Sequence, residues 1–257
     1  MNPKADIIIA LLNQVTLERA RRASNRAFAS AVVAVKRYQQ RRFMHTYADL
    51  LSTERFGAAS RFFLDELYGP RDFSQRDAQF VRVVPALVRL FPAEIVQTVE
   101  ILARLHAVSE VLDSAMALHV GAAQISQLSY TRAWQATARR SDRDLQITLT
   151  LAVGSALDRY TQRRTLRHTL RLMRGPAKAA GLGELQRFLE TGFDTFREMR
   201  GAGDFLDLVD SREQTLADAL FNTALVETAA QDGRLTARNS LAAPLPDLLP
   251  PDGTSDA

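Results

Sequence analysis

Apolar residues recur at three- and four-residue spacing along nearly the whole chain, while runs in which Val, Ile, Thr or aromatic residues alternate with polar ones are missing. The first pattern lines one face of a helix and the second one face of a strand, so every long segment reads as helix and no strand is convincing. The expected fold is therefore all-α, a multi-helix bundle. A chain of 257 residues has enough length for a sizeable core, since a soluble fold of this size buries roughly 70–75% of the surface its unfolded chain exposes.

Gly and Pro punctuate the pattern. Helices are expected at 5–22, 25–40, 44–52 and 54–68, after which Gly69-Pro70 stops the chain. Asp72 is placed to cap the next helix together with Gln75, and Pro85 to kink or break it. Pro92 stands where a first-turn proline would open a long helix, 93–121. Further helices are expected at 123–139, 143–158, 159–173, 184–199, 204–210 and 213–230. This suggests an N-terminal helical subdomain, 1–121, and a C-terminal one, 122–239. The end of the chain reads "APLPDLLPPDGTSDA", and its Pro and Asp content predicts a disordered tail over 240–257.

Charge is unevenly distributed. Lys+Arg minus Asp+Glu gives 10−4 = +6 for residues 1–60, 6−8 = −2 for 61–120, 11−3 = +8 for 121–180 and 6−14 = −8 for 181–257. Basic and acidic quarters are complementary, which favours Arg-rich helices lying near acidic helices of the same fold over an external polyanion. Arg159, Arg163, Arg167 and Arg171 form a basic stripe that could meet an anionic ligand, but interleaved stacking aromatics are nearly absent, and nucleic acid is disfavoured as a partner. The run Ile7 to Leu12 is too short to span a bilayer, and Asp6 before it argues against a signal peptide. A cytoplasmic protein without membrane insertion is expected.

Several chemistries are excluded. With no cysteine there is no disulfide, thiolate nucleophile or cysteine-bound zinc. A Gly-rich phosphate loop, a Gly-x-Ser-x-Gly elbow and a His-Glu-x-x-His pair are all missing. Against that background the long helix carries a stripe worth marking: His106, Glu110 and Asp113, at i, i+4 and i+7, continue the line of Ile95, Val99 and Leu102. Glu66, between Phe62 and Phe63 on its own helix face, is the acid that could join them. A carboxylate held among aromatic rings needs a cation, a metal or its own protonation. Carboxylates and an imidazole projecting into a bundle are ingredients of a two-metal site, yet the Glu-x-x-His pair such sites use is absent, and a loosely exposed Glu66 is the simpler expectation. No cofactor is expected.

The segments "FFLDELYGP" (Phe62 to Pro70), "DF" (Asp72–Phe73), "RDAQ" (Arg76 to Gln79) and "AAGLGELQRFLETGF" (Ala179 to Phe193) resemble an uncharacterised bacterial family named for its FFLEE motif. Here the motif reads FFLDE, with Asp65 in place of the first glutamate. The resemblance extends over about residues 30 to 225 and transfers no catalytic residue. The reading that follows is a binding or scaffolding module whose partner is another protein or a second copy of the chain. A metal-carboxylate helical enzyme and a nucleic-acid binder using the Arg159 to Arg174 face are the alternatives.

Overall fold

Helix α6 (Ala93–Val120) is apolar around much of its circumference, the pattern of a helix enclosed by others rather than laid on a surface. The computed structural model, which describes residues 3–66, 73–120, 124–228, 238–241 and 247–252, places it at the centre of an all-α bundle. Around it the chain runs α1 (Pro3–Ala23), α2 (Arg26–Thr46), α3 (Ala48–Ser52), α4 (Gly57–Glu66) and α5 (Ser74–Leu90). After α6 follow α7 (Gln127–Thr137), α8 (Arg140–Thr161), α9 (Arg164–Ala179), α10 (Gly183–Glu198) and α11 (Gly203–Asn222). Helices α1, α2, α7 and α8 pack directly on α6, and α10 bridges α4, α5, α8 and α9.

Local chemistry sets several helix ends. Asn25 accepts a hydrogen bond from the Phe28 N–H at 3.1 Å, satisfying one of the unpaired donors of the first turn of α2. Ser126 and Ser129 form a reciprocal capping box at the start of α7. The expected Asp72 cap and the Gly69-Pro70 stop lie outside the described residues.

Elsewhere proline is overridden. Helix α5 continues through Pro85, where a kink or break was expected, and α9 continues through Gly175 and Pro176, past the expected end at 173. Both prolines are exposed, so water can satisfy the carbonyl that loses its N–H partner. The two helices expected at 204–210 and 213–230 are a single α11, because nothing between Asp210 and Glu213 interrupts helical geometry. That helix ends at Asn222, and Leu225–Thr228 instead pairs antiparallel with Arg238–Leu241, a two-stranded ladder that helical periodicity did not predict.

The core draws on helices from both ends of the chain. One cluster joins Val35 and Tyr38 of α2 to Met116, Tyr130, Ile147 and Leu216. Another joins Phe43, Tyr47 and Phe63 to Phe196, Met199 and Phe205. The FFLDE segment is the hinge of this second cluster. The Phe63 ring centroid lies 5.9 Å from Phe196 and 5.7 Å from Phe205. The Phe62 ring stacks on Phe188 at 5.5 Å. Gly192 makes that approach possible, because a Cβ there would stand 2.9 Å from Phe62 Cζ.

The expected tail is not uniformly free of the bundle. Leu249 is buried in the first cluster, Thr46 Oγ1 donates to the Leu248 carbonyl at 2.7 Å, and the Gln127 N–H donates to Asp252 at 2.7 Å. Residues 247–252 are therefore docked, whereas 242–246 and 253–257 lie outside the described residues.

Candidate functional site: an amphipathic cavity along α6

The stripe Ile95, Val99, Leu102, His106, Glu110, Asp113 lines one wall of a cavity of about 300 Å³. From Ile95 to Asp113 is 18 residues, which at 1.5 Å per residue spans about 27 Å. Helix α5 contributes Phe80, Val83 and Leu87, and α10 contributes Leu185, Phe188 and Phe193. The amphipathic α9 closes another side with Leu166, Leu170 and Met173. Apolar residues thus enclose most of the volume, and its size falls at the lower end of ligand pockets, roughly 300–1,000 Å³.

Polar side chains gather toward the other end, where α2, α6 and α8 meet. Glu110 is 2% exposed and bound by three cations. Lys36 Nζ lies 2.8 Å from Oε1, Arg19 Nη2 lies 3.3 Å from the same oxygen, and Arg22 pairs with Oε2 and donates to the Glu110 carbonyl. Burial alone would raise the Glu110 carboxyl, but Lys36, Arg22 and Arg19 outweigh it and hold the group well below the ordinary carboxylate range. Asp113 behaves oppositely. Burial pushes its carboxyl up, the Glu110 charge adds to that, and Lys36, its ion-pair partner among the described residues, is 3.5 Å away.

Glu66 is buried, at 5% exposure, in contrast to the expectation of a loosely exposed acid. The cation it requires is Arg76, whose Nη1 lies 3.1 Å from Oε2, with Arg187 3.2 Å from Oε1 on the more open side. The Arg76 guanidinium is held in turn over the rings of Phe73 and Phe188, at 4.0 and 4.4 Å. Next to it, Asp77 accepts from His106 Nε2 at 2.9 Å and forms an ion pair with Arg19 Nη1 at 2.8 Å. Burial would raise Asp77, but the His106 hydrogen bond and the nearby charges of His106, Arg19 and Arg76 keep it low. Arg61, on the same helix as Glu66, donates to the Leu51 carbonyl at 3.2 Å.

Glu66, His106, Glu110 and Asp113 accordingly line a single cavity, but they do not converge on a point. They are links in a chain in which Arg76, Asp77, Arg19 and Lys36 alternate with them. Among the described residues no group of three or more His, Asp and Glu is arranged to hold a metal ion. The "RDAQ" segment carried more than its resemblance implied: Arg76 neutralises Glu66, Asp77 orients His106, and Gln79 accepts from the Leu185 N–H at 3.0 Å, fastening the start of α10. Its signal was the i, i+1, i+3 placement of three polar groups beside the apolar Phe80 and Val84, a pattern that sequence spacing does not distinguish from a solvated face.

The basic stripe of α9 lies apart from this network. Arg163 pairs with Glu94, Arg167 with Asp194 at 2.8 Å, and Arg174 with Glu190 at 2.7 Å. Arg159 and Arg171 are exposed without an ion-pair partner among the described residues. The complementarity of basic and acidic quarters is thus realised within the fold, and Arg55–Asp204, Arg140–Asp218 and Arg212–Asp49 extend it.

Fold and site together define a helical-bundle protein built around an elongated cavity, apolar over most of its length and charged at one end. Residues 18–226 match the family described as a domain of unknown function (DUF8198), and the chain belongs to that family. An uncharacterised family is what the motif resemblance implied, although this match does not bear on the FFLEE motif itself. No curated protein and no solved structure matches the chain. Among the described residues no helix is long and apolar enough to cross a membrane.

Proposed function

We propose that the protein is a small-molecule binding module that holds a largely apolar ligand in the cavity along α6. The observation that carries this reading is the cavity itself. A void of roughly 150 Å³ lined by Leu, Ile and Phe already admits a benzene-sized molecule, and the present one has about twice that volume. A close-packed interior does not leave such a space without cost, since each unfilled volume forfeits dispersion contacts along its lining. The charged end supports recognition rather than chemistry: its carboxylates are each engaged by Arg or Lys, which favours binding over the metal-carboxylate alternative. On the same ground the internal pairing of α9 weakens the nucleic-acid reading.

The test is titration of the full chain with the uncharged, polarity-sensitive dye N-phenyl-1-naphthylamine. Saturable one-to-one binding is expected, lost in Leu102→Trp, where an indole placed on the cavity wall would fill the space. Absence of saturable binding by the unaltered protein would remove this reading.

A further inference from the structure

We infer that the ligand is an uncharged long-chain alcohol, its hydroxyl bound between Gln39 and Ser109 and its alkyl chain laid along α6 toward Ile95. This rests on the cavity being a ligand site at all, and it adds the chemistry of the head and its place on the wall.

Charge excludes an ionised head. At the polar end of the cavity Arg19, Arg22, Lys36 and Arg76 stand against Glu66, Asp77, Glu110 and Asp113, and each is already in an ion pair. Arg19 pairs with Asp77 at 2.8 Å as well as with Glu110, Lys36 with Glu110 and Asp113, Arg22 with Glu110, and Arg76 with Glu66. The further cation at Glu66, Arg187, is shared with Glu184. A carboxylate entering here would meet no spare cation, and an ammonium no spare acid. Either would be shut away from water without a counter-ion of its own, the costly way to bury a charge.

Hydrogen-bond capacity selects a hydroxyl. Gln39 lies on the cavity wall at 7% exposure, and its side-chain amide makes no hydrogen bond among the described residues. A buried amide left unpaired is unfavourable, and this one offers both a carbonyl acceptor and N–H donors. Ser109 stands beside it. Gln146 links the two: it shares the wall of a smaller neighbouring space with Gln39, accepts from Arg143 Nη1 at 3.0 Å, and donates from Nε2 to Ser109 Oγ at 2.8 Å. Arg143 thereby fixes which way the Gln146 amide points, and Ser109, with Oγ already accepting, keeps its own O–H to donate. A partner for Gln39 and Ser109 must therefore both donate and accept while carrying no charge. A hydroxyl is the smallest group that does so, whereas an ether oxygen only accepts.

The wall gives the chain. From Ile95 to Ser109 is 14 residues, about 21 Å of helix at 1.5 Å per residue, and Val99 and Leu102 line the stretch between them. Phe80 and Leu87 of α5 and Phe188 and Phe193 of α10 line the same space. A volume of about 300 Å³ drawn out over that length is narrow, which suits a flexible alkyl chain rather than fused rings.

The test uses the full chain loaded with N-phenyl-1-naphthylamine and displaced by 1-decanol, decanoate, decylamine or methyl decyl ether, each below its aggregation threshold. The alcohol is expected to bind roughly tenfold or more tightly than the carboxylate or the amine, and several-fold more tightly than the ether. The ether is the sharper comparison, because an apolar cavity with no head site would prefer the less hydrated molecule. In Gln39→Leu, and separately in Ser109→Ala, the alcohol is expected to lose its advantage over the ether while the dye still binds. A carboxylate or amine that binds as tightly as the alcohol overturns the uncharged head and leaves the cavity reading standing. The head assignment falls equally if the ether matches the alcohol, as it would were Gln39 satisfied by water alone, if the dye binds and none of the chains displaces it, or if both variants keep the alcohol's advantage. Failure of the dye itself to bind overturns both.

Discussion

Arg76 faces Glu66 across 3.1 Å, and both side chains are largely shut off from water, at 13% and 6% exposure. The guanidinium is held over two aromatic rings as well as by the carboxylate, so removing the acid would leave a charge that cannot move to solvent with only Asp77, at 4.0 Å, to offset it among the described residues. Glu66→Gln is therefore expected to cost roughly 3–5 kcal/mol of unfolding free energy, the range for breaking one partner of a buried pair. Arg76→Lys should also be destabilising, because an ammonium lacks the planar face that lies on Phe73 and Phe188. Chemical denaturation of the two variants checks both; a loss below about 1 kcal/mol, the value for an exposed pair, would contradict the burial argument.

Glu110 and Asp113 should respond to substitution with opposite signs. Glu110 is held low by its three cations, so its contribution to stability is present above the unfolded carboxylate value, about 4.3, and is lost as pH falls through its folded value. Asp113 is raised, so its contribution is fully present below about 3.9 and is lost as pH rises through its folded value. Glu110→Gln should destabilise strongly at neutral pH, whereas Asp113→Asn should gain on the unaltered protein as pH is raised from 4 toward 8. Urea midpoints measured across that range give the answer, and a parallel pair of profiles for Asp113→Asn and the unaltered protein would count against the raised carboxyl.

Gly192 governs how closely α10 approaches α4. With Phe62 Cζ 2.9 Å from the position of an added Cβ, Gly192→Val must displace the ring or the helix, at a cost of about 1–3 kcal/mol for overpacking. Phe62→Leu removes the atoms in the way and should recover part of that loss, so the double variant is expected to be less destabilised than the sum of the single ones. Additive losses within about 0.5 kcal/mol would mean that the two residues do not share the contact.

Periodicity was enough to read the helices and the α6 stripe, because burial on one face writes itself into three- and four-residue spacing. Ile95, Val99 and Leu102 pointed to the stripe, and His106, Glu110 and Asp113 marked its polar continuation before any partner was visible. The partners were not legible, since Lys36 and Arg19 reach Glu110 across separations of 74 and 91 residues. Glu66 was misplaced for the same reason: the aromatic stacking that makes Arg76 its counter-ion depends on Phe188, far along the chain. Pro85 and Pro176 overstated the breaks because local propensity carries no information on exposure or on packing by neighbouring helices. The short ladder Leu225–Thr228 with Arg238–Leu241 is too brief for alternation to rise above the helical background.

Leu249 carries the remaining prediction. Flanked by Leu248 and Pro250 in a Pro-rich stretch, it has no periodic company, yet it is 2% exposed and packs in the cluster that holds Tyr130, Trp134 and Leu220. Burying one leucine side chain contributes about 1.5–3 kcal/mol, and the Thr46 and Gln127 hydrogen bonds fix the segment against α2 and α7. Ending the chain after residue 246 should lower the thermal midpoint by several degrees, and Leu249→Ala in the full chain should reproduce most of the loss. Ending it after residue 252 should leave the midpoint unchanged. Were both truncations silent, Leu249 would be a surface residue in solution and the docking of 247–252 would contribute nothing to stability.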